Sequence, residues 1–225
     1  SFDVVNRFRI MVKQTIGLKK IKVGHTGTLD PKATGLLLLC TGRATKQIEQ
    51  LMLDRKEYVA TLKFGATTPS FDLEHPEDAH YPYEHITQGM LEEALREFLG
   101  TTLQVPPIFS AVSVGGKRAY DLARKGKDCQ LEGKPITIHE LEVVSFEPPY
   151  ATLRISCGKG TYIRSLARDL GERLQSGAYL TALRRTQLGN VRVEDSLTLA
   201  ELPDFLAHAE LTEEGFDPII PPASK

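Results

Sequence analysis

The chain of 225 residues is poor in cysteine, and Cys40, Cys129 and Cys157 stand far apart with no CxxC pair. An odd, scattered set of this kind argues against a disulfide framework or a structural zinc site, and it reads as buried or half-buried thiols. Long hydrophobic runs are missing as well: no stretch approaches the ~20 apolar residues that a bilayer span requires. The first residues lack the basic-then-apolar layout of a secretory leader. The cytoplasm is therefore the expected compartment, without a membrane partner. Internal repeats and low-complexity tracts are also absent. A large net charge is lacking too, and the formal value of -1 argues at first against a polyanionic partner.

Along the chain, however, charge is segregated. Residues 1 to 64 carry a balance of +7, residues 65 to 100 one of -7, residues 101 to 190 one of +5 and residues 191 to 225 one of -6. Two basic segments brought together by folding would form a stripe able to displace counterions from phosphates. Solvated charges on all sides would give the same totals, and this choice stays open on charge alone. The 41% hydrophobic and 25% charged content is that of an ordinary globular protein with one sizeable core.

Apolar residues at Val5, Phe8, Val12 and Ile16 after Ser1-Phe2-Asp3, with Gly17 beyond, predict a capped amphipathic helix. The stretch "KVGHTGTLDPKATGLLLLC" follows, a glycine-studded loop leading into a buried strand over the four leucines. Residues 43 to 55 predict a second helix, with Ala44, Ile48, Leu51 and Met52 on one side. "EYVATLKFG" alternates as a strand with Tyr58, Ala60, Leu62 and Phe64 inward. Residues 66 to 86 read as a loop before a helix over 87 to 99 that turns Leu91, Ala94, Leu95 and Phe98 inward. "PITIHELEVVSF" and "YATLRISC" are strands, and "TYIRSLARDLGERLQ" is a helix stopped by Gly177. Helices and strands mingle without strict alternation, so the fold class is α+β on a mixed sheet.

Among the loops, Gly24 to Thr28 fails the phosphate-cradle pattern GxxxxGK[ST]. His25, without a second ligand at metal spacing, reads as a hydrogen-bonded structural group. Asp30 differs, because Pro31 pushes it into extended geometry and fixes the chain after it. A covered carboxylate there demands a cation or solvent, whereas an Asx-turn would only shape the loop. Both readings stand. In "CGKGTYIRSLARDLGE", Arg164 and Arg168 share a helix face and suit phosphates or a buried carboxylate; an exposed basic helix with an Asp169 to Arg173 pair is the plainer alternative.

Together, "KVGHTGTLDPKATGLLLLCTGRATK", "KEYVATLKFG", "QVPPIFSAVSVGGKRAYDLARKG", "CGKGTYIRSLARDLGE" and "LRRTQLG" resemble, in this order and spacing, the TruB-type tRNA pseudouridine-55 synthases. The likeness runs from Ser1 to about Val193. It implies the pseudouridine synthase fold, a mixed and mostly antiparallel sheet with flanking helices and a central catalytic cleft. By motif, Asp30 matches the catalytic aspartate and His25 the histidine that holds the flipped nucleotide. Tyr58 matches a tyrosine stacked on the target base, Tyr162 one packed near the reacting carbon, Arg164 the arginine paired with the carboxylate, and Leu183 a leucine lining the uracil pocket.

The implied reaction breaks the N1 to C1′ bond of one T-loop uridine, turns the uracil and joins C5 to C1′. It is redox-neutral and adds no atoms, so the resemblance implies no cofactor and no metal. Lys22, Lys46, Lys117, Arg118, Arg124, Lys159 and Arg184 are the expected RNA contacts. The tRNA T stem-loop is the expected partner, bound by a monomer without an obligatory protein partner. Residues 1 to 193 would form the catalytic domain, with an RNA-binding insertion within 66 to 130, and residues 194 to 225 a short extension too small for a PUA domain. The strand that precedes the first motif in the family has no counterpart before Ser1, and Ser113 replaces a lysine common after the "SA" pair. A non-catalytic RNA-binding module and a carboxylate-dependent glycoside or nucleoside hydrolase are the competing classes, but a hydrolase wants two acids flanking the sugar.

Overall fold

The computed structural model describes residues 1–17, 20–51, 55–110, 112–114, 116–120 and 131–208. They group into two compact units, residues 1–54 with 185–225, and residues 55–184.

In the first unit, Val5, Phe8 and Val12 form the buried stripe of α1 (Phe2–Ile16). The helix ends where Gly17 takes the left-handed conformation, φ 76°, and its N–H bonds Lys13 O at 3.1 Å. Glycine meets no Cβ penalty there. Ser1 occupies the N-cap, but its side chain makes no capping bond. The hydroxyl instead accepts from Leu29 N–H at 2.9 Å, so the expected cap is spent on the loop of Asp30.

That loop lies inside a hairpin of β1 (Val23–His25) and β3 (Leu39–Thr41), paired antiparallel. The four leucines do not continue as one strand. Leu36 is buried and donates its N–H to Arg185 O at 2.9 Å. Leu38 O accepts from Thr26 N, and only Leu39 joins β3. The short β2 (Thr34–Gly35) pairs with a strand reached much later in the chain. The expected helix over 43 to 55 opens as a 3-10 turn, Gly42–Gln47, before α2 (Ile48–Leu51), and Met52 lies outside the described residues.

The second unit is built on an antiparallel sheet. β4 (Lys56–Phe64) buries Tyr58, Ala60, Leu62 and Phe64, the period of two that the sequence shows. Residues 66 to 86 are not wholly loop, because β5 (Ala66–Thr67) pairs with β6 (Ala79–His80). Thr87 caps α3 (Gln88–Glu97) by accepting from Met90 N–H, and Leu91, Ala94 and Leu95 face inward. After β7 (Gly100–Gln104), a small hairpin joins β8 (Ser113–Val114) to β9 (Lys117–Arg118). β10 (Lys134–Glu147) pairs with β7 on one side and with β11 (Tyr150–Cys157) on the other, and β11 pairs with β4. α4 (Ile163–Arg173) lays Ile163, Leu166, Ala167 and Leu170 into the same core as α3 and the inward faces of β4, β10 and β11.

β12 (Ala178–Leu188), which the sequence reading did not assign, starts in the second unit, where it neighbours β4, and its last residues belong to the first. There it pairs with β13 (Val191–Arg192). α5 (Leu202–His208) packs Leu206 into a small core with Val5, Phe8, Val12 and Val23. No helix among the described residues is long and apolar enough to cross a membrane.

Candidate active site

The loop from 26 to 38 carries two of the expected site residues. Asp30 opens a turn in which Ala33 N–H bonds Asp30 O at 3.0 Å, with Pro31 in the second position, where its fixed φ favours turning. The Asp30 side chain is half-buried. His25 stands at the end of β1, and its Nδ1 accepts the N–H of Gly27 at 3.3 Å. That bond assigns the remaining proton to Nε2 in the neutral ring. Desolvation by burial, with the nearby Arg185 guanidinium adding to it, lowers the His25 pKa below its usual 6.5.

Arg185 is the residue that the sequence reading missed. It is 1% exposed, its Nε donates to Leu36 O at 2.8 Å and its Nη2 to Gly27 O at 3.2 Å. One side chain thus ties both legs of the Asp30 loop together. The backbone is equally close: a Cβ on Gly35, whose φ is 98°, would sit 2.2 Å from Arg185 O. The only sequence signal was the second arginine of "LRR", which reads as a surface charge until β12 buries it.

In the second unit, Tyr58 is 8% exposed and begins the inward row of β4, and half-buried Leu183 packs against the same apolar cluster. Tyr162 is half-buried at the N-cap of α4. Arg164 enters the protein from the first turn of that helix, with Nε 3.7 Å from Asp72 Oδ2 and both side chains 6% exposed. Its Nη1 and Nη2 donate to Ser70 O at 3.3 Å and Phe109 O at 3.1 Å. Asp72 is a second residue that sequence reasoning passed over, lost among the acids of the presumed loop. Its Oδ1 accepts from Ser70 Oγ at 2.6 Å and Glu74 N at 2.9 Å, bonds that hold an ionised carboxylate in place.

Arg168 bonds Asp169 and Val105 O, with its guanidinium 5.1 Å above the Phe71 ring, and Arg173 bonds Glu97 of α3. The alternative pairing of Asp169 with Arg173 is therefore replaced by two other pairs. Lys22, Lys46, Lys159 and Arg184 are exposed, and Lys117 and Arg118 form β9. Arg124 lies outside the described residues.

This arrangement belongs to the pseudouridine synthase fold. The chain matches a crystal structure of a Cbf5-Nop10-Gar1 complex with a TM-score of 0.63 and 28% identity, over 87% of this chain and 49% of that one. A structure of an H/ACA RNP bound to a substrate RNA containing 2′-deoxyuridine matches with a TM-score of 0.62 and 25% identity, over 89% of this chain and 49% of that one. The chain spans about half the length of these solved chains.

Within that class the relationship is narrower. The model of the TruB family pseudouridylate synthase N-terminal domain matches residues 13–163, and that of the tRNA pseudouridylate synthase B C-terminal domain matches residues 164–225. The chain belongs to the TruB family. It is 55% identical over 213 residues to the tRNA pseudouridine synthase B of Phocaeicola vulgatus, covering 95% of this chain and 91% of that protein. The Bacteroides thetaiotaomicron protein of the same name is 54% identical over 218 residues, covering 95% and 91%. That of Chlorobium luteolum is 50% identical over 202 residues, covering 89% and 69%.

Proposed function

We propose that the protein isomerises uridine 55 in the T loop of tRNA to pseudouridine, with Asp30 as the catalytic carboxylate. The observation that carries this reading is the loop: Asp30 sits on a proline-fixed turn whose two legs are joined by the buried Arg185. A general binding surface has no need of such a fixed carboxylate.

In the reaction N1 to C1′ breaks, C5 to C1′ forms, the proton at C5 leaves and N1 ends protonated, so atoms balance without an oxidant or reductant. Addition of Asp30 to C6, addition to C1′ and elimination to a glycal all start from an ionised Asp30 acting as nucleophile or base. Arg164 is the cation assigned to stabilise that ion, with Asp72 holding the guanidinium from its own unit. Tyr58 stacks on the everted uracil; stacking worth about 1 to 3 kcal/mol per base offsets an eversion cost of roughly a few kcal/mol. Tyr162 lies against the ring and takes the C5 proton, Leu183 lines the pocket, and His25 holds the nucleotide through Nε2–H. Lys22, Lys46, Lys117, Arg118, Arg124, Lys159 and Arg184 meet the phosphates.

The enzyme acts in the cytoplasm as a monomer without a guide RNA, through a catalytic domain over 1 to 193 and an RNA-binding insertion within 66 to 130. Pseudouridine formation in a minimal T stem-loop RNA tests the reaction, the role of Asp30 and the stand-alone reading. Wild-type protein alone should convert it, and Asp30→Ala should bind it but yield no product. Equal product from both would remove Asp30 from the chemistry, and dependence on added proteins or RNA would remove the stand-alone reading.

A further inference from the structure

Tyr162 is an odd N-cap. Helix N-caps favour Ser, Thr, Asp or Asn, whose short side chains accept from the first free N–H groups of the helix. Tyr162 has extended geometry, φ -99° and ψ 110°, and makes no side-chain capping bond. Its backbone is fixed from outside. Gln104, at the end of β7 and 5% exposed, accepts the Tyr162 N–H on Oε1 at 2.8 Å and donates Nε2–H to Tyr162 O at 3.1 Å. The carboxamide thus closes a two-bond ring on one peptide segment, the pattern that a paired strand would supply. The same carbonyl also accepts from Leu166 N at 3.1 Å, the first bond of α4.

The next residues strengthen the seat. Val105 O accepts from Ser165 Oγ at 2.8 Å and from Arg168 Nη2 at 3.1 Å. A buried amide with both ends satisfied rigidifies its neighbours, and its loss takes the Gln104 acceptor from the Tyr162 N–H and leaves the Tyr162 carbonyl with the Leu166 N–H. Gln104 thereby fixes the backbone of the N-cap residue through its own N–H and carbonyl, and the Tyr162 side chain takes no part in holding it.

We propose that Gln104 is a positioning residue that sets the Tyr162 ring for its work on the uracil. The inference rests on the reading that Tyr162 acts there, so the experiment separates the two. Single-turnover rates and RNA dissociation constants are measured on the T stem-loop for Gln104→Met, for Tyr162→Leu, which removes the ring whatever its task, and for the double variant. Gln104→Met should slow turnover by about 10-fold or more, as small misplacements do, with affinity within about twofold of wild type. In the Tyr162→Leu background the same change should cost less than about twofold, because the ring it positions is gone.

Gln104→Glu gives a readout that does not depend on that variant folding. A neutral carboxyl accepts from Tyr162 N–H and donates to Tyr162 O as the amide does, whereas a carboxylate only accepts. Its rate relative to wild type should rise as the pH falls. Full activity of Tyr162→Leu would overturn the role of Tyr162 and this inference with it. A slow Tyr162→Leu together with an equal cost of Gln104→Met in both backgrounds, or a flat pH ratio for Gln104→Glu, would overturn the role of Gln104 alone.

Discussion

A guanidinium taken out of water must recover its hydration from fixed partners, and the Arg164 side chain at 6% exposure does so with the Asp72 carboxylate and the carbonyls of Ser70 and Phe109. Asp72→Asn keeps the shape and removes the charge. It should cost about 3 kcal/mol or more in urea denaturation, since one member of a buried pair is left uncompensated. Turnover should fall while RNA affinity holds. Arg164→Met should likewise impair the rate more than the affinity; weaker binding at a normal rate would place Arg164 on a phosphate instead.

His25 is a different kind of case, a ring kept neutral by burial with Gly27 N–H pointed at Nδ1. Its folded pKa is lowered, so the unfolded chain binds the proton more readily in the window below about 6.5. Its contribution to stability is complete above that value and is lost as the pH falls through the lowered pKa. A His25→Gln variant should therefore show a flatter acid limb of stability and of rate than wild type. Identical acid limbs would show that other groups set them.

At the scale of elements, the strand of "EYVATLKFG" and the helices over 88–97 and 163–173 were legible because each has one apolar face and a strong period. The leucine run misled for a physical reason. Its first residue is claimed by the backbone of Arg185, so the chain turns where hydropathy suggests continuity. β12 escaped because it carries two adjacent arginines, and the burial of one of them depends on carbonyls 149 and 158 residues away. Asp30, Tyr162 and Arg164 were singled out by motif as candidates, while Asp72, Gln104 and Arg185 hold their neighbours through contacts that no local pattern encodes. The Asp30 loop offers a direct test of this long-range strut. Gly35→Ala places a Cβ against Arg185 backbone at a positive φ, and should lower both thermal stability and turnover. Gly17→Ala, where none of the described residues comes within 4 Å of the added Cβ, should cost only the left-handed strain of about 1 to 2 kcal/mol and leave turnover intact. If both variants behave alike in turnover, the loop is not held as the hydrogen bonds of Arg185 require.

Across the whole molecule, a formal charge of -1 and an RNA substrate are reconciled by segregation, since the +7 and +5 segments contain the expected contacts and the acidic ones do not. Phosphate contacts release counterions, so affinity for a stem-loop should fall linearly on logarithmic axes as salt rises, by about 0.7 to 0.9 in slope for each phosphate neutralised. Exposed Lys159 and Arg184 test the point without touching the buried network. Replacing either with alanine should lower the slope by about 1 and weaken binding several-fold at low salt, with the rate at saturating RNA unchanged. The two changes together should add, because independent phosphates are counted separately. An unchanged slope would mean that the residue faces solvent in the complex, and a slower saturated rate would move it from the phosphate backbone to the reacting nucleotide.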